Sequence, residues 1–351
     1  MSGCARSNGS TGRGGMGVRK VVEVGSTCGD GIVWPPMAHP TMTARWSSVV
    51  AATWAVPAAV IARYLPVDRT KGQSRNAPGT EGIEPDVYPG AELALGDGRA
   101  GAAVSLVARR AAHVRVMGVG VPRMGTFDSL ALTIAVRERG SGRRGVVCVR
   151  EIVSNRGIAW LMRRWYNHPC VTAPLDVEVK QQTQFIGAEY RMAWPVGGLA
   201  PGSYVSKQME TEEQMVRVVG RKPAVRGEVK VQSANGKVQS RERVQSARVK
   251  VQIEETAGAE TLESWLTERP FVFGLDVRGA AIAHEAIHPS WGFYPAVDSS
   301  VRVDFASVFG AEFGFLGGMP AQHVMLAVGS EVAMFPSRAG AAGVRWGERR
   351  G

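Results

Sequence analysis

His284-Glu285-Ala286-Ile287-His288 places two imidazoles four residues apart with a carboxylate beside the first. On a helix this spacing sets both histidines on one face, where they hold zinc while the glutamate acts as base on a metal-bound water. The flanking residues oppose a helix. Pro289 disfavours α conformation at His288, and Trp291 and Tyr294 stand where the longer zinc motif needs Gly and His. On a strand, residues four apart lie roughly 13 Å from one another, too far to share an ion. The expectation is a strand with no metal and no cofactor.

Two charged doublets are the next candidates. Arg150-Glu151 and Glu268-Arg269 stand beside apolar strand-like runs. At the mouth of a pocket an arginine holds a carboxylate and a glutamate serves as acid or base; as buried ion pairs they serve structure instead. With the His-Pro-x-Trp residues, they give a candidate pocket of Arg150, Glu151, Glu268, His288 and Trp291. Cys148 lies inside the apolar run GVVCV and reads as inert core. Cys170 follows His168 by two residues, a weak pattern for a Cys–His nucleophile.

The elements must place these groups. The 351 residues are 44% hydrophobic and 21% charged, an ordinary globular composition. The four cysteines (Cys4, Cys28, Cys148, Cys170) form no CxxC pair, so neither a zinc ribbon nor a disulfide framework is indicated. A reducing cytoplasm is the expected location. The longest apolar run, Val49 to Leu65, is short for a membrane span and is broken by Pro57 and Arg63. The net charge of +11 resides in residues 1–20, 217–252 and 337–351, and the remainder is acidic on balance. This argues against nucleic acid as a partner and for solvated basic tails and one basic insert.

Residues 1–36 are Gly-rich and read as a disordered tail. Residues 42–337 read as one domain with insertions at 67–90 and 206–255, and 338–351 as a basic C-terminal tail. Trp46 to Val56 predicts a strand, and AAVIARYL between Pro57 and Pro66 a short helix. AGAAVSLVARRAAHVRVMGV predicts two strand runs. SLALTIAVRER and GVVCVREIV flank Gly140-Ser141-Gly142 as a hairpin. SNRGIAWLMRRWYN predicts a helix capped by Ser154 or Asn155. LDVEVK and GAEYRMAW predict strands, TLESWLTER a helix capped by Thr261, and DFASVFGAEFGFL another helix. PFVFGLDV and AAIAHEAIH predict a hairpin over Arg278-Gly279. Within the second insertion, EVKVQSANGKVQSRER alternates about Asn235-Gly236 and predicts an exposed hairpin. Many strands with a few short helices favour a mainly β antiparallel barrel with helices at its periphery.

Three runs carry a family resemblance: RRGVVCVREIVSNRGIAWLMRRWYNHPCVTAPL, LTERPFVFGLDVRGAAIAHEAIHPSW and the opening VVAATWAVPAAVIARYLP. Arg-Glu-Ile-Val before a helix, Tyr-Asn-x-Pro after it, Leu-Thr-Glu-Arg, and a strand ending His-Pro-x-Trp resemble, in order, the YqjF-like family, a domain of unknown function. The resemblance covers most of residues 46–205 and 260–337. That family resembles the acetoacetate decarboxylase-like barrels, which implies the fold and not the activity. In those decarboxylases a lysine pair after a proline forms the Schiff base. The comparable place is Asn167-His168-Pro169-Cys170-Val171, so Cys170 and Val171 stand where the resemblance would put the lysines. It therefore implies no Schiff-base decarboxylation.

The leading expectation is a soluble cytoplasmic protein whose barrel binds a small anionic or apolar molecule, with catalysis left open by the sequence. The enzyme alternative is lyase- or hydrolase-like chemistry on a small carboxylate through Glu151, Glu268 and His288. The third is a nucleic-acid or partner-binding module working through the basic 217–252 hairpin. The sequence carries no statement of oligomeric state.

Overall fold

The computed structural model describes residues 39–66, 82–182, 184–195, 211–222, 261–276 and 278–339. The 1–36 tail, residues 67–81 of the first insertion and residues 206–210 and 223–255 of the second lie outside them, as does the chain from 340 onward.

Small and β-branched apolar residues recur with period two, and strands dominate. In chain order the first elements are β1 (Met42–Val56), α1 (Ala58–Ala62), β2 (Ile83–Pro85), β3 (Ala102–Val116), β4 (Val119–Gly120), β5 (Phe127–Glu138) and β6 (Arg144–Val153). They continue as α2 (Arg156–Tyr166), β7 (Cys170–Thr172), β8 (Leu175–Gln181), β9 (Phe185–Pro195), β10 (Thr211–Arg221) and α3 (Leu262–Thr267). The last are β11 (Phe271–Leu275), β12 (Ala281–Ile287), β13 (Phe293–Arg302), α4 (Phe305–Phe309), β14 (His323–Ala327), β15 (Glu331–Met334) and β16 (Arg338–Ala339).

The pairings close a seven-strand barrel in the order β3-β5-β6-β11-β12-β15-β1, with β1 returning to β3. All contacts in the ring are antiparallel except β6–β11, which is parallel. β1 belongs to two sheets. Met42–Arg45 pair with β15 and close the barrel, whereas Val49–Thr53 pair with β14 and lead outward through β13, β10 and β9 to β8. The branch falls at a β-bulge, where Ser48 has φ +51° and its carbonyl accepts the Tyr190 hydroxyl at 2.7 Å. Such a bulge bends the strand and separates its two halves. Gly329 permits the return of β15, because a Cβ there would lie 2.2 Å from the Trp46 carbonyl oxygen.

Side-chain size differs between the two faces of the ring. On the outer face stand Val50, Ala52, Trp54 and Val56 of β1, Val104 and Leu106 of β3, and Leu130, Leu132 and Ile134 of β5. They pack against Tyr190, Trp194, Val216 and Val218 of the second sheet, with Phe305 and Phe309 of α4 between. The Trp54 and Phe305 rings meet edge to face at 5.3 Å. The inner face carries smaller groups: Ala51, Ser105, Ala131, Thr133, Cys148 and Ala286. These small inward residues, beside larger ones such as Trp46 and Met334, leave space within the barrel.

The mainly β barrel with short peripheral helices is thus the observed fold. Four features differ from the sequence expectation. The two strand runs predicted after Gly101 are one strand, β3, which carries a bulge near His113, at φ +53°. DFASVFGAEFGFL is not one helix: Gly310, at φ +121°, separates α4 from a 3-10 turn over Ala311–Gly318. β13, β14 and β15 have no counterpart in the predicted elements. Residues 211–221, placed by the sequence in an exposed insertion, form β10, which is paired on both sides by β9 and β13 with Val216 and Val218 buried. The basic hairpin read at 217–252 therefore starts inside a sheet strand. No helix among the described residues is long and apolar enough to cross a membrane.

Candidate functional site

The space inside the barrel is a cavity of about 110 Å³. Its walls are mostly apolar; Arg109 and His168 gather around Glu151 on β6, and Thr267 and Arg269 line the cavity as well. Glu151 is 1% exposed. Arg109 on β3 donates through Nη2 to Glu151 Oε1 at 2.5 Å, and its guanidinium lies over the Trp46 ring, 4.3 Å from the centroid. His168 Nδ1 lies 3.0 Å from Glu151 Oε2, and the Cys170 thiol is 3.9 Å from the same oxygen. Burial alone would raise the Glu151 pKa, but Arg109 and then His168 overcome it and bring the group down to about 2. Glu151 is therefore a carboxylate and accepts only. His168 must donate through Nδ1, which in the neutral ring leaves a lone pair on Nε2.

Local sequence explains how His168 reaches a strand seventeen residues earlier. Asn155 caps α2, its side chain accepting from the amides of Gly157 and Ile158. At the other end Asn167 adopts the left-handed conformation (φ 51°, ψ 33°), and the His168 amide bonds to the Met162 carbonyl at 3.1 Å. The chain then returns as β7, parallel to β6, with Cys170 opposite Glu151. The Asn167 amide also bonds to the Leu275 carbonyl and anchors the turn to β11.

The first four residues of HEAIH are on β12, a strand, and His288 follows its last residue. His284 and His288 both line the cavity, while Glu285, one residue on, falls on the opposite face of the strand. The helical zinc-peptidase geometry is therefore not formed. His284 lies against Tyr166 and His168, with ring centroids at 4.9 Å to each. Burial, then the neighbouring His168, hold its pKa well below the ordinary imidazole value, so it is neutral. His288 belongs to a separate cluster, stacking on Trp291 at 4.3 Å with Trp46 at 5.8 Å. The Trp291 indole donates to the Ser330 hydroxyl at 2.9 Å.

Of the five candidate residues, Glu151, His288 and Trp291 line the cavity, whereas Arg150 and Glu268 do not. A β-bulge in β6 is the reason for Arg150. Leu132 pairs with Arg150 and Thr133 with Cys148, so Val149 is the extra residue and the inward alternation passes from Cys148 to Glu151. Arg150 turns outward and donates to the Val308 carbonyl on α4. Glu268 is exposed and accepts from the Ser290 hydroxyl at 2.7 Å. Its neighbour Arg269 is buried in an ion pair with Asp86 at 3.0 Å, under which Trp265 lies 3.9 Å from the guanidinium.

Arg109, His168, His284 and Cys148 are cavity residues that the sequence did not single out as a group. One signal was present. Arg109-Arg110 interrupts an apolar run, and a charged doublet buried on a strand needs a partner on each face. Those partners are Glu151 for Arg109 and Asp128, at 2.9 Å, for Arg110. Cys170 and Val171, where the resemblance would place a lysine pair, are each 1% exposed. No lysine among the described residues lines the cavity.

Residues 80–331 match the family described as DUF2071, Uncharacterized conserved protein (COG2071), and the chain belongs to that family. No curated protein matches the chain. Among solved structures it is similar to the enduracididine biosynthesis enzyme MppR complexed with pyruvate, at 11% identity and TM-score 0.46 over 86% of this chain and 91% of that one. It is also similar to an acetoacetate decarboxylase from Legionella pneumophila subsp. pneumophila str. Philadelphia 1, at 7% identity and TM-score 0.44 over 90% and 92%. An acetoacetate decarboxylase-like enzyme from Sphingomonas wittichii RW1 follows at 10% identity and TM-score 0.44 over 89% and 99%.

Proposed function

We propose that the protein binds, inside the barrel, a small molecule with an apolar body and one anionic or acceptor end, of which the short-chain carboxylates are the simplest class. The observation that carries this reading is the cavity itself: about 110 Å³ of space with mostly apolar walls and the Arg109–Glu151–His168 cluster among its polar groups. An apolar cavity of about 150 Å³ accommodates benzene, which scales to about four or five heavy atoms here. Within the cluster, Arg109 Nε is buried with no partner among the described residues. It is a donor left for a guest, and a buried donor without a partner is costly. The apolar walls select the body of the guest, and the Arg109 donor selects its end.

The test is native mass spectrometry of the full chain with acetate, propionate and butyrate, alongside Arg109→Met checked for folding by circular dichroism. Wild type is expected to take up one equivalent of at least one acid, and Arg109→Met to lose it. Binding of none of the series at millimolar concentration, or equal binding by the variant, overturns the reading.

A further inference from the structure

We propose that the guest is a small hydroxy acid, whose carboxylate takes the Arg109 Nε donor and whose hydroxyl donates to His168 Nε2. The inference rests on the carboxylate reading above and adds a second contact to it. It starts from the polar groups that line the cavity and where their hydrogen bonds go. Several have partners within the protein. The Ser105 hydroxyl meets that of Thr53 at 2.9 Å, and the Thr133 hydroxyl donates to the Ser105 carbonyl at 3.2 Å. The Thr267 hydroxyl donates to the Glu263 carbonyl at 2.8 Å, and Arg269 holds Asp86 at 3.0 Å. Three nitrogens of cavity-lining residues are buried without a partner among the described residues: Arg109 Nε, His168 Nε2 and His284 Nε2.

Glu151 decides the character of the second. Its carboxylate only accepts, so the His168 ring turns its Nδ1 donor to Oε2 at 3.0 Å. In the neutral ring Nε2, turned away from Glu151, then carries a lone pair. His168 is 8% exposed and this atom is buried, so the lone pair lacks the water that would satisfy it at the surface. His284 packs against the same ring with centroids at 4.9 Å, but no carboxylate bonds it, and the acceptor role is assigned to His168 alone. The cavity thus offers one donor that asks for an acceptor and one acceptor that asks for a donor. A plain carboxylate meets the first and leaves the second desolvated and unpaired, which is costly. A hydroxyl on the same guest meets both. Exchanging a methyl for a hydroxyl changes size little, so glycolate and propionate, or 3-hydroxypropionate and butyrate, are matched pairs that differ at the group His168 would read.

The experiment is isothermal titration of the full chain at neutral pH with both pairs, repeated in two buffers of different ionisation enthalpy to count protons. In wild type the hydroxy acid of at least one pair is expected to bind about tenfold or more tightly than its methyl partner, without proton uptake. His168→Asn keeps an N–H where Nδ1 serves Glu151 and has no atom at Nε2. It should lose most of that preference, with folding confirmed by circular dichroism; the wild-type comparison needs no variant. Equal binding within both pairs, or a preference undiminished in folded His168→Asn, overturns the inference and leaves the carboxylate reading standing. Proton uptake on binding propionate would put the proton on Nε2 and overturn it as well. Binding of none of the four acids overturns both.

Discussion

Glu151→Gln removes the carboxylate at the centre of the polar cluster while keeping its shape. The Arg109 guanidinium then stays in the barrel beside Trp46 without its counterion. At 2.5 Å the lost attraction is about 7 kcal/mol at an effective dielectric constant of about 20. Relief of the carboxylate's own desolvation offsets part of that, and breaking one partner of a buried pair costs about 3–5 kcal/mol. At about 2–4 °C per kcal/mol for a body of this size, Tm falls by about 10 °C. Denaturant unfolding and calorimetry at neutral pH read this directly. The pH profile gives a second check. Glu151 is depressed from 4.5 to about 2 in the folded state. Its contribution, about 3 kcal/mol, is present above its unfolded pKa and is lost as pH falls from about 4.5 toward about 2. Glu151→Gln should lack that part of the acid slope, and Arg109→Met with Glu151→Gln should be more stable than Glu151→Gln alone. A single variant within about 1 kcal/mol of wild type would refute the reasoning, since no uncompensated charge would then have been left behind.

Two further outcomes follow from the fold and the cavity. Val218 on β10 is fully buried between the sheets, so Val218→Asp should abolish cooperative unfolding or lower stability by about 3 kcal/mol or more; a variant as stable as wild type would show that β10 is dispensable. Borohydride with acetoacetate should trap no adduct, because no lysine among the described residues lines the cavity and Lys180 is 65% exposed. A mass increase on a lysine, lost when that residue becomes Ala, would contradict this.

Much of the barrel was legible because its signals are local. The β5–β6 hairpin, the Asn155 and Thr261 caps and the β11–β12 hairpin each follow from a turn or a capping residue within a few positions. Pro289 and the apolar alternation likewise announced that HEAIH is a strand. The site was less legible because long-range contacts and one bulge decide it. Strict alternation from Cys148 points Arg150 inward, and only the pairing with β5 shows that Val149 is extra and that Glu151 takes that place. The meeting of His168 with His284 depends on α2 reversing the chain and on β12 closing the ring, neither of which leaves a trace in the spacing. β10 was hidden by its charges. Arg217 and Arg221 face outward on a strand whose alternate valines are buried, and in sequence they merge with the basic segment that follows.

The central claim is that small inward side chains keep the barrel open for a guest. Ala51 on β1 lines the cavity, paired with Val107 on β3. Ala51→Leu places three more carbons in a space of about 110 Å³. Isothermal titration of wild type and Ala51→Leu with the short carboxylates, with Tm measured on both, separates occupancy from folding. The expected result is binding by wild type, loss of binding in the variant, and a Tm within a few degrees, because the added methyl groups fill existing space instead of displacing packed atoms. Equal binding by the two proteins would place the guest outside the barrel and contradict the account.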